Sequence, residues 1–170
     1  DLGNSPREYV EEAVAGKTVV FTTTNGTRAL QACMGAERVI VGALVNLTAV
    51  CDAVRDDDRV HLLCAGTRGE ITREDVLVAG AIAEQLYVER LSLALNDSAQ
   101  IAIDAWQTAT GGSHDPQTLA RALKATQGGR NLSEIGMGGD IRLAAAVDMV
   151  PVLPELAIAA WSIRAATVVF

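Results

Sequence analysis

An uninterrupted apolar run that ends in a hydroxyl-rich glycine turn sets the first constraint on this chain. Lys17 to Leu30 reads K-T-V-V-F-T-T-T-N-G-T-R-A-L. Val19, Val20 and Phe21 have no polar residue between them, which is the pattern of a strand covered on both faces. Thr22, Thr23, Thr24, Asn25, Gly26 and Thr27 then place four hydroxyls and one amide beside a glycine. Ala29, Leu30 and Ala32 open a helical period. A helix start carries unpaired N–H groups and the positive end of the dipole, so this turn can cradle a phosphate or sulfonate. The same residues serve equally as ordinary caps. The absence of G-x-x-x-x-G-K-[ST] excludes a standard nucleotide P-loop.

The strand–turn–helix pattern occurs three times. Thr18 to Thr22 leads into a helix ending near Met34. Arg38 to Gly42 leads through Asn46 and Thr48 into a helix ending near Arg55. Arg59 to Cys64 leads through Ala65, Gly66, Thr67, Arg68 and Gly69 into a long helix from Thr72 to Leu91. Such alternation predicts an α/β fold: three αβα layers around a mostly parallel sheet, with a helical C-terminal half. Ligands of such sheets bind at the carboxyl ends of the strands, so the three turns are expected to face one crevice.

The remaining segments are short. Ser5 and Pro6 open a helix through Glu12. Leu95 to Thr108 is amphipathic, and Asp115-Pro116 starts a helix to Gln127 that Gly128 and Gly129 end. Asn131 to Ile135 reads as a polar-capped turn and Asp140 to Val147 as a helix. The tail from Val150 to Phe170 fits a strand or a helix. No linker or low-complexity tract divides residues 1–170, which are expected to form one α/β domain. A loop-like start without Met suggests an N-terminal truncation.

Aromatic residues make up only 4% of the 170 residues against 49% hydrophobic ones, so Ala, Val, Leu and Ile must build the core. The net charge of −7 argues against a general nucleic-acid surface. A local cradle can still hold a small anion. No apolar run reaches membrane-spanning length, because Pro151, Pro154, Glu155 and Arg164 break the nearest one. Cys33, Cys51 and Cys64 are odd in number and set among apolar residues, as expected of buried thiols in a reducing cytoplasm. With His61 and His114 alone, no Cys/His zinc site can be assembled. A Cys64 nucleophile lacks a base, since His61 falls on the opposite face of the strand.

Glu70, Glu74 and Asp75 surround the start of the third helix. Carboxylates there suit Mg²⁺, which takes one or two carboxylates plus substrate oxygens and water. Thr72-x-x-Asp75 also resembles a capping box, and Glu74 is favoured there by the helix dipole. Asp140, after Gly136, Gly138 and Gly139, is either an N-cap or a second carboxylate of the crevice. Asn46 can donate to a ligand or act as a cap. Arg28 and Arg68 flank the two richest turns and can clamp an oxyanion. The G-M-G-G at Gly136 to Gly139 lacks the spacing of a dinucleotide fingerprint.

Four segments together resemble the 2-phosphosulfolactate phosphatase family. They are D-L-G-N-S-P-R-E from Asp1, G-K-T-V-V-F-T-T-T-N-G-T-R-A-L from Gly16, G-A-L-V-N-L from Gly42 and C-A-G-T-x-G-x-x-x-x-E-D from Cys64 to Asp75. The resemblance runs to about Val152. It implies a Mg²⁺-dependent phosphatase that converts 2-phosphosulfolactate to sulfolactate and phosphate, a step toward coenzyme M, or acts on a related phosphoester. It implies catalytic roles for Asp75 and Asp140, metal binding by Asp75 and Glu74, and substrate contacts from Ser5, Thr23, Thr24, Asn25, Gly26, Thr27, Asn46, Gly66 and Thr67. The expected partner is a small anionic substrate, with no nucleic acid and no membrane; a homo-oligomer is compatible with the sequence, which does not fix the oligomeric state. The resemblance also implies an upstream strand, bearing an Asp and an Arg-Ala-Thr-type turn, that this sequence lacks. The tail from Pro154 departs from the family's ending. The alternative reading is a truncated or non-catalytic α/β module that binds a phosphorylated or sulfonated ligand.

Overall fold

A computed structural model describes residues 2–90 and 92–166. Readings that fall on Asp1, on the helix end at Leu91 and on residues 167–170 of the tail lie outside the described residues.

The molecule is a helical assembly with one small antiparallel hairpin. Its helices are α1 (Glu11–Val14), α2 (Gly26–Ala32), α3 (Leu47–Val54), α4 (Arg73–Glu89), α5 (Asp97–Thr110), α6 (Pro116–Lys124), α7 (Gln127–Glu134) and α8 (Gly138–Ala144). Single 3₁₀ turns cover Pro6–Glu8, Leu44–Asn46 and Ile158–Ala160. Strands β1 (Leu153–Ala157) and β2 (Ser162–Ala166) pair with Leu153 opposite Ala166 and Ala157 opposite Ser162. The tail is thus a hairpin.

This overturns the expectation of a three-layer αβα fold with a mostly parallel sheet. Among the described residues the sheet has two strands, and they are antiparallel. Of the three expected strands, only the second finds a backbone partner. Ile40 bridges Glu155 antiparallel, with Val41 N–H donating to Pro154 O and Leu156 N–H donating to Val39 O, both at 2.9 Å. Residues 18–22 and 59–64 belong to no helix or strand. Val20 is 92% exposed, Phe21 56% and Leu63 56%, so their apolar groups are not the buried faces the pattern implied. Side-chain pattern favours an extended chain, but a strand exists only where a neighbour accepts its hydrogen bonds.

The core lies where α3, α4, α5, α6, α8 and β1 meet. Leu47, Cys51, Leu77, Ile82, Trp106, Leu119, Ile141 and Leu153 form one buried cluster there. Helices α4 and α5 approach closely because of Gly80. A Cβ at that position would collide with the Ala102 carbonyl and stand 2.8 Å from Trp106 Cβ. Trp106 satisfies its indole N–H by donating to Glu84 Oε2 at 2.9 Å.

Side-chain capping sets the starts of α5, α6 and α7. Asn96 accepts Ala99 N–H at 2.9 Å and Asp115 accepts Thr118 N–H at 2.8 Å, with Pro116 opening α6. Gly111 closes α5 in the left-handed conformation at φ 63°. Gly128 and Gly129 do not end a helix. They lie in the first turn of α7, where Thr126 Oγ1 accepts Gly129 N–H at 3.1 Å, and Asn131 to Glu134 continue that helix. A Cβ on Gly129 would strike the Leu123 carbonyl, so the glycine permits the sharp α6–α7 corner.

Candidate functional site

Two of the three expected turns come together. Asn25, which precedes α2, accepts the Arg68 backbone N–H on Oδ1 at 3.1 Å. Arg68 belongs to a two-residue turn in which Thr67 N–H donates to Glu70 O and Glu70 N–H to Thr67 O, each at 3.0 Å. Both central residues are left-handed, Arg68 at φ 55° and Gly69 at φ 84°. That is the geometry of a type I′ turn, and a non-glycine residue holds it only where the surroundings compensate. Here the Asn25 amide does so. Gly66 is also left-handed, at φ 64°, and a Cβ on it would lie 2.5 Å from Glu70 O.

Asp75 anchors this turn from α4. Its Oδ2 accepts Gly66 N–H at 2.7 Å. Thr72 occupies the N-cap position without a side-chain cap bond, so the expected capping box does not form. The carboxylate serves the loop instead of its own helix.

Within residues 22–27, Thr23 and Thr27 close a reciprocal pair. Thr27 N–H donates to Thr23 Oγ1 at 3.1 Å and Thr23 N–H to Thr27 Oγ1 at 3.3 Å. Gly26 leaves room for it, since a Cβ there would stand 2.8 Å from Thr23 Oγ1. The exposed Thr22 and Thr24 hydroxyls remain at the surface of the turn. Thr67 and Arg68, on the facing turn, are exposed as well.

The other expected residues sit apart from this junction. Asn46 is only 4% exposed and turns inward: Oδ1 accepts Ala43 N–H at 2.8 Å, while Nδ2 donates to Val41 O and Val152 O. It ties the α3 entry to the segment before β1. Ser5 accepts Arg7 N–H at 3.4 Å and caps the first 3₁₀ turn. Asp140 is 8% exposed and lies in the first turn of α8, not at its cap. Glu74 directs its carboxylate against Gly128, and its Oε2 is buried without a hydrogen-bond partner. A carboxylate at the start of α7 is favoured by that helix's dipole. A depression of about 260 Å³ lined by Arg73, Ala109, Thr118 and Arg121 involves none of the expected site residues.

Cys51 and Cys64 are not activated as nucleophiles. The Cys64 thiol is held above its ordinary range by desolvation of its sulfur and by the Asp75 carboxylate. Burial, and then the Glu89 carboxylate, push Cys51 up to about 12. Both thiols therefore stay protonated at neutral pH.

The sequence reading missed the Arg68 backbone N–H and the Thr23–Thr27 pair. The second had a signal, hydroxyls four residues apart across a glycine. The first had none, because it depends on two turns 43 positions apart.

The family model of 2-phosphosulpholactate phosphatase matches residues 1–158. The chain is 37% identical over 157 residues to the probable 2-phosphosulfolactate phosphatase of Caldanaerobacter subterraneus subsp. tengcongensis, covering 92% of this chain and 62% of that protein. It is 36% identical over 154 residues to the protein of the same description from Pseudothermotoga lettingae, covering 91% and 63%. For the one from Deinococcus radiodurans the figures are 39% over 160 residues, 92% and 63%. The chain thus spans a little over three-fifths of the length of these curated relatives. The matched residues include both turns of the junction and the Asp75 that anchors it, and on this match the chain belongs to the 2-phosphosulpholactate phosphatase family.

Proposed function

We propose that this chain carries the phosphoester site of a phosphatase acting on 2-phosphosulfolactate or a related phosphorylated sulfonate or hydroxy acid. The observation that carries the reading is the Asn25–Arg68 bond, which sets two hydroxyl- and glycine-rich turns against each other beside a carboxylate. The names of the relatives support the substrate class.

In this reading the exposed hydroxyls of Thr22, Thr24 and Thr67 and the Arg68 guanidinium receive the phosphoryl oxygens. Asp75 keeps Oδ2 on Gly66 N–H and uses Oδ1 to orient a water and accept its proton. The water oxygen bonds to phosphorus, the bond to the ester oxygen breaks, and that oxygen takes a proton from solvent to leave as the alcohol, while Asp75 returns its proton to solvent. Among the described residues Asp140, buried in α8, makes no hydrogen bond to the junction, and it has no part in the scheme.

Magnesium was expected here from Asp75 and Glu74. Among the described residues no group of three His, Cys, Asp or Glu side chains is placed to hold a metal. Glu74 is turned against Gly128 and Asp75 already holds the loop. The donors present do not fit a magnesium site built by this chain alone, and no step is routed through the ion. That same observation favours a second reading, a module that binds the phosphorylated ligand without turning it over.

No helix among the described residues is long and apolar enough to cross a membrane. The three cysteines are free, which supports a reducing compartment, and we place the chain in the cytoplasm.

Phosphate release from 2-phosphosulfolactate, measured with the chain and with Asp75→Asn as control, tests the proposal. Release that falls at least tenfold in the variant supports it. Ligand-induced stabilisation with no release from either protein overturns it in favour of binding alone.

A further inference from the structure

Arg7 and Arg142 lie 135 positions apart in sequence, yet both guanidiniums reach Gly139. The β position of Gly139 is 2.8 Å from Arg7 Nη1 and 3.9 Å from Arg142 Nη2. Gly139 does not have a positive φ, so backbone conformation does not demand glycine there. Space does: the Arg7 guanidinium occupies the volume that a side chain would fill.

Two like charges brought to one point repel unless a counter-charge sits between them. Among the described residues neither arginine forms an ion pair; the pairs found involve Arg38 and Arg55. The buried Asp140 follows Gly139 in the chain, but no bond between its carboxylate and either guanidinium is present. Both arginines are exposed, so the space between them is open to a solute.

We propose that Arg7 and Arg142, which meet beside Gly139, form a second oxyanion-binding site, one that takes a tetrahedral phosphate or sulfonate group. Guanidinium forks match such oxygens bidentately, and two of them on one group balance its charge. The segment that carries Arg7 is fixed at both ends. Ser5 Oγ accepts Arg7 N–H, Tyr9 donates its hydroxyl to Gly3 O at 2.8 Å, and the Tyr9 ring meets Phe21 with centroids 6.2 Å apart. Phe21 adjoins the first turn of the junction. One short segment therefore spans from that turn to Gly139, a layout suited to a ligand with two anionic groups. The site does not depend on the phosphatase reading, because it requires binding and no turnover.

The test is titration calorimetry of the chain at low ionic strength with inorganic phosphate, with methanesulfonate and with chloride as the control. Arg7→Gln and Arg142→Gln should each weaken oxyanion binding at least tenfold and leave the circular dichroism spectrum unchanged. Arg59→Gln removes the same charge elsewhere and should have no such effect. Gly139→Ala should weaken binding without unfolding, since its methyl displaces only the flexible end of Arg7. Loss of phosphate binding alone, or of methanesulfonate binding alone, supports the site and names its oxyanion. Equal affinities in the chain, Arg7→Gln and Arg142→Gln, or no binding of either anion by the chain, overturns it.

Discussion

The Arg68 backbone N–H donates to Asn25 Oδ1 at 3.1 Å and so locks a left-handed turn onto the segment that starts α2. This bond makes one surface of two turns that are remote in the chain. Asn25→Ala should cost about 0.5–1.5 kcal/mol, the usual net value of such a hydrogen bond. It should also weaken phosphate binding at the junction. Asn25→Asp keeps the acceptor and should restore most of the stability. Urea unfolding of the two variants checks this.

Asp75→Asn separates anchoring from charge. The amide oxygen can still accept Gly66 N–H, so the fold should survive with a loss of about 1 kcal/mol. Asp75→Ala removes the anchor and should cost about 1.5–3 kcal/mol, the range for bonds to charged groups. If the two variants are equally stable, the Gly66 contact contributes nothing.

The exposed apolar run gives the sharpest contrast between pattern and structure. Val20→Ser should change stability by less than about 0.5 kcal/mol, as surface substitutions do. Leu77→Ala, in the core cluster, should cost about 2–5 kcal/mol. A Val20→Ser penalty equal to that of Leu77→Ala would mean that residues 19–21 are buried after all.

Gly80→Ala sets helix propensity against packing. Alanine is the better helix former by about 1 kcal/mol. At this position its methyl meets the Ala102 carbonyl and Trp106, so the variant should be destabilised by about 1–3 kcal/mol. Thermal unfolding decides the sign.

Asp115 gives a pH signature. Thr118 N–H, donated to its carboxylate, holds it below the ordinary carboxylate value of 3.8. A depressed carboxylate stabilises the fold above its unfolded pKa and loses that contribution as pH falls through the folded one. Asp115→Ala should therefore lower the urea midpoint at neutral pH, and the gap to the parent chain should close below about pH 4. A gap that persists in strong acid would assign the effect to packing.

The start of α6 was legible in the sequence because capping is local: Asp115 accepts a bond three residues ahead and Pro116 fixes the first turn. The hydroxyls around Gly26 were likewise visible as a turn. The sheet was not legible. Residues 18–22 and 59–64 have the right side chains for strands, but strand formation needs a partner's N–H and C=O groups, and only the folded chain shows that residues 39–41 find theirs on β1. The glycines at 128 and 129 read as a stop because nothing local records that Leu123 must pass within contact of position 129. The site divided in the same way. Its residue types were set by composition and spacing, whereas the pairing of Asn25 with Arg68, the turning of Glu74 toward Gly128 and the inward role of Asn46 depend on distances between segments that only tertiary packing determines.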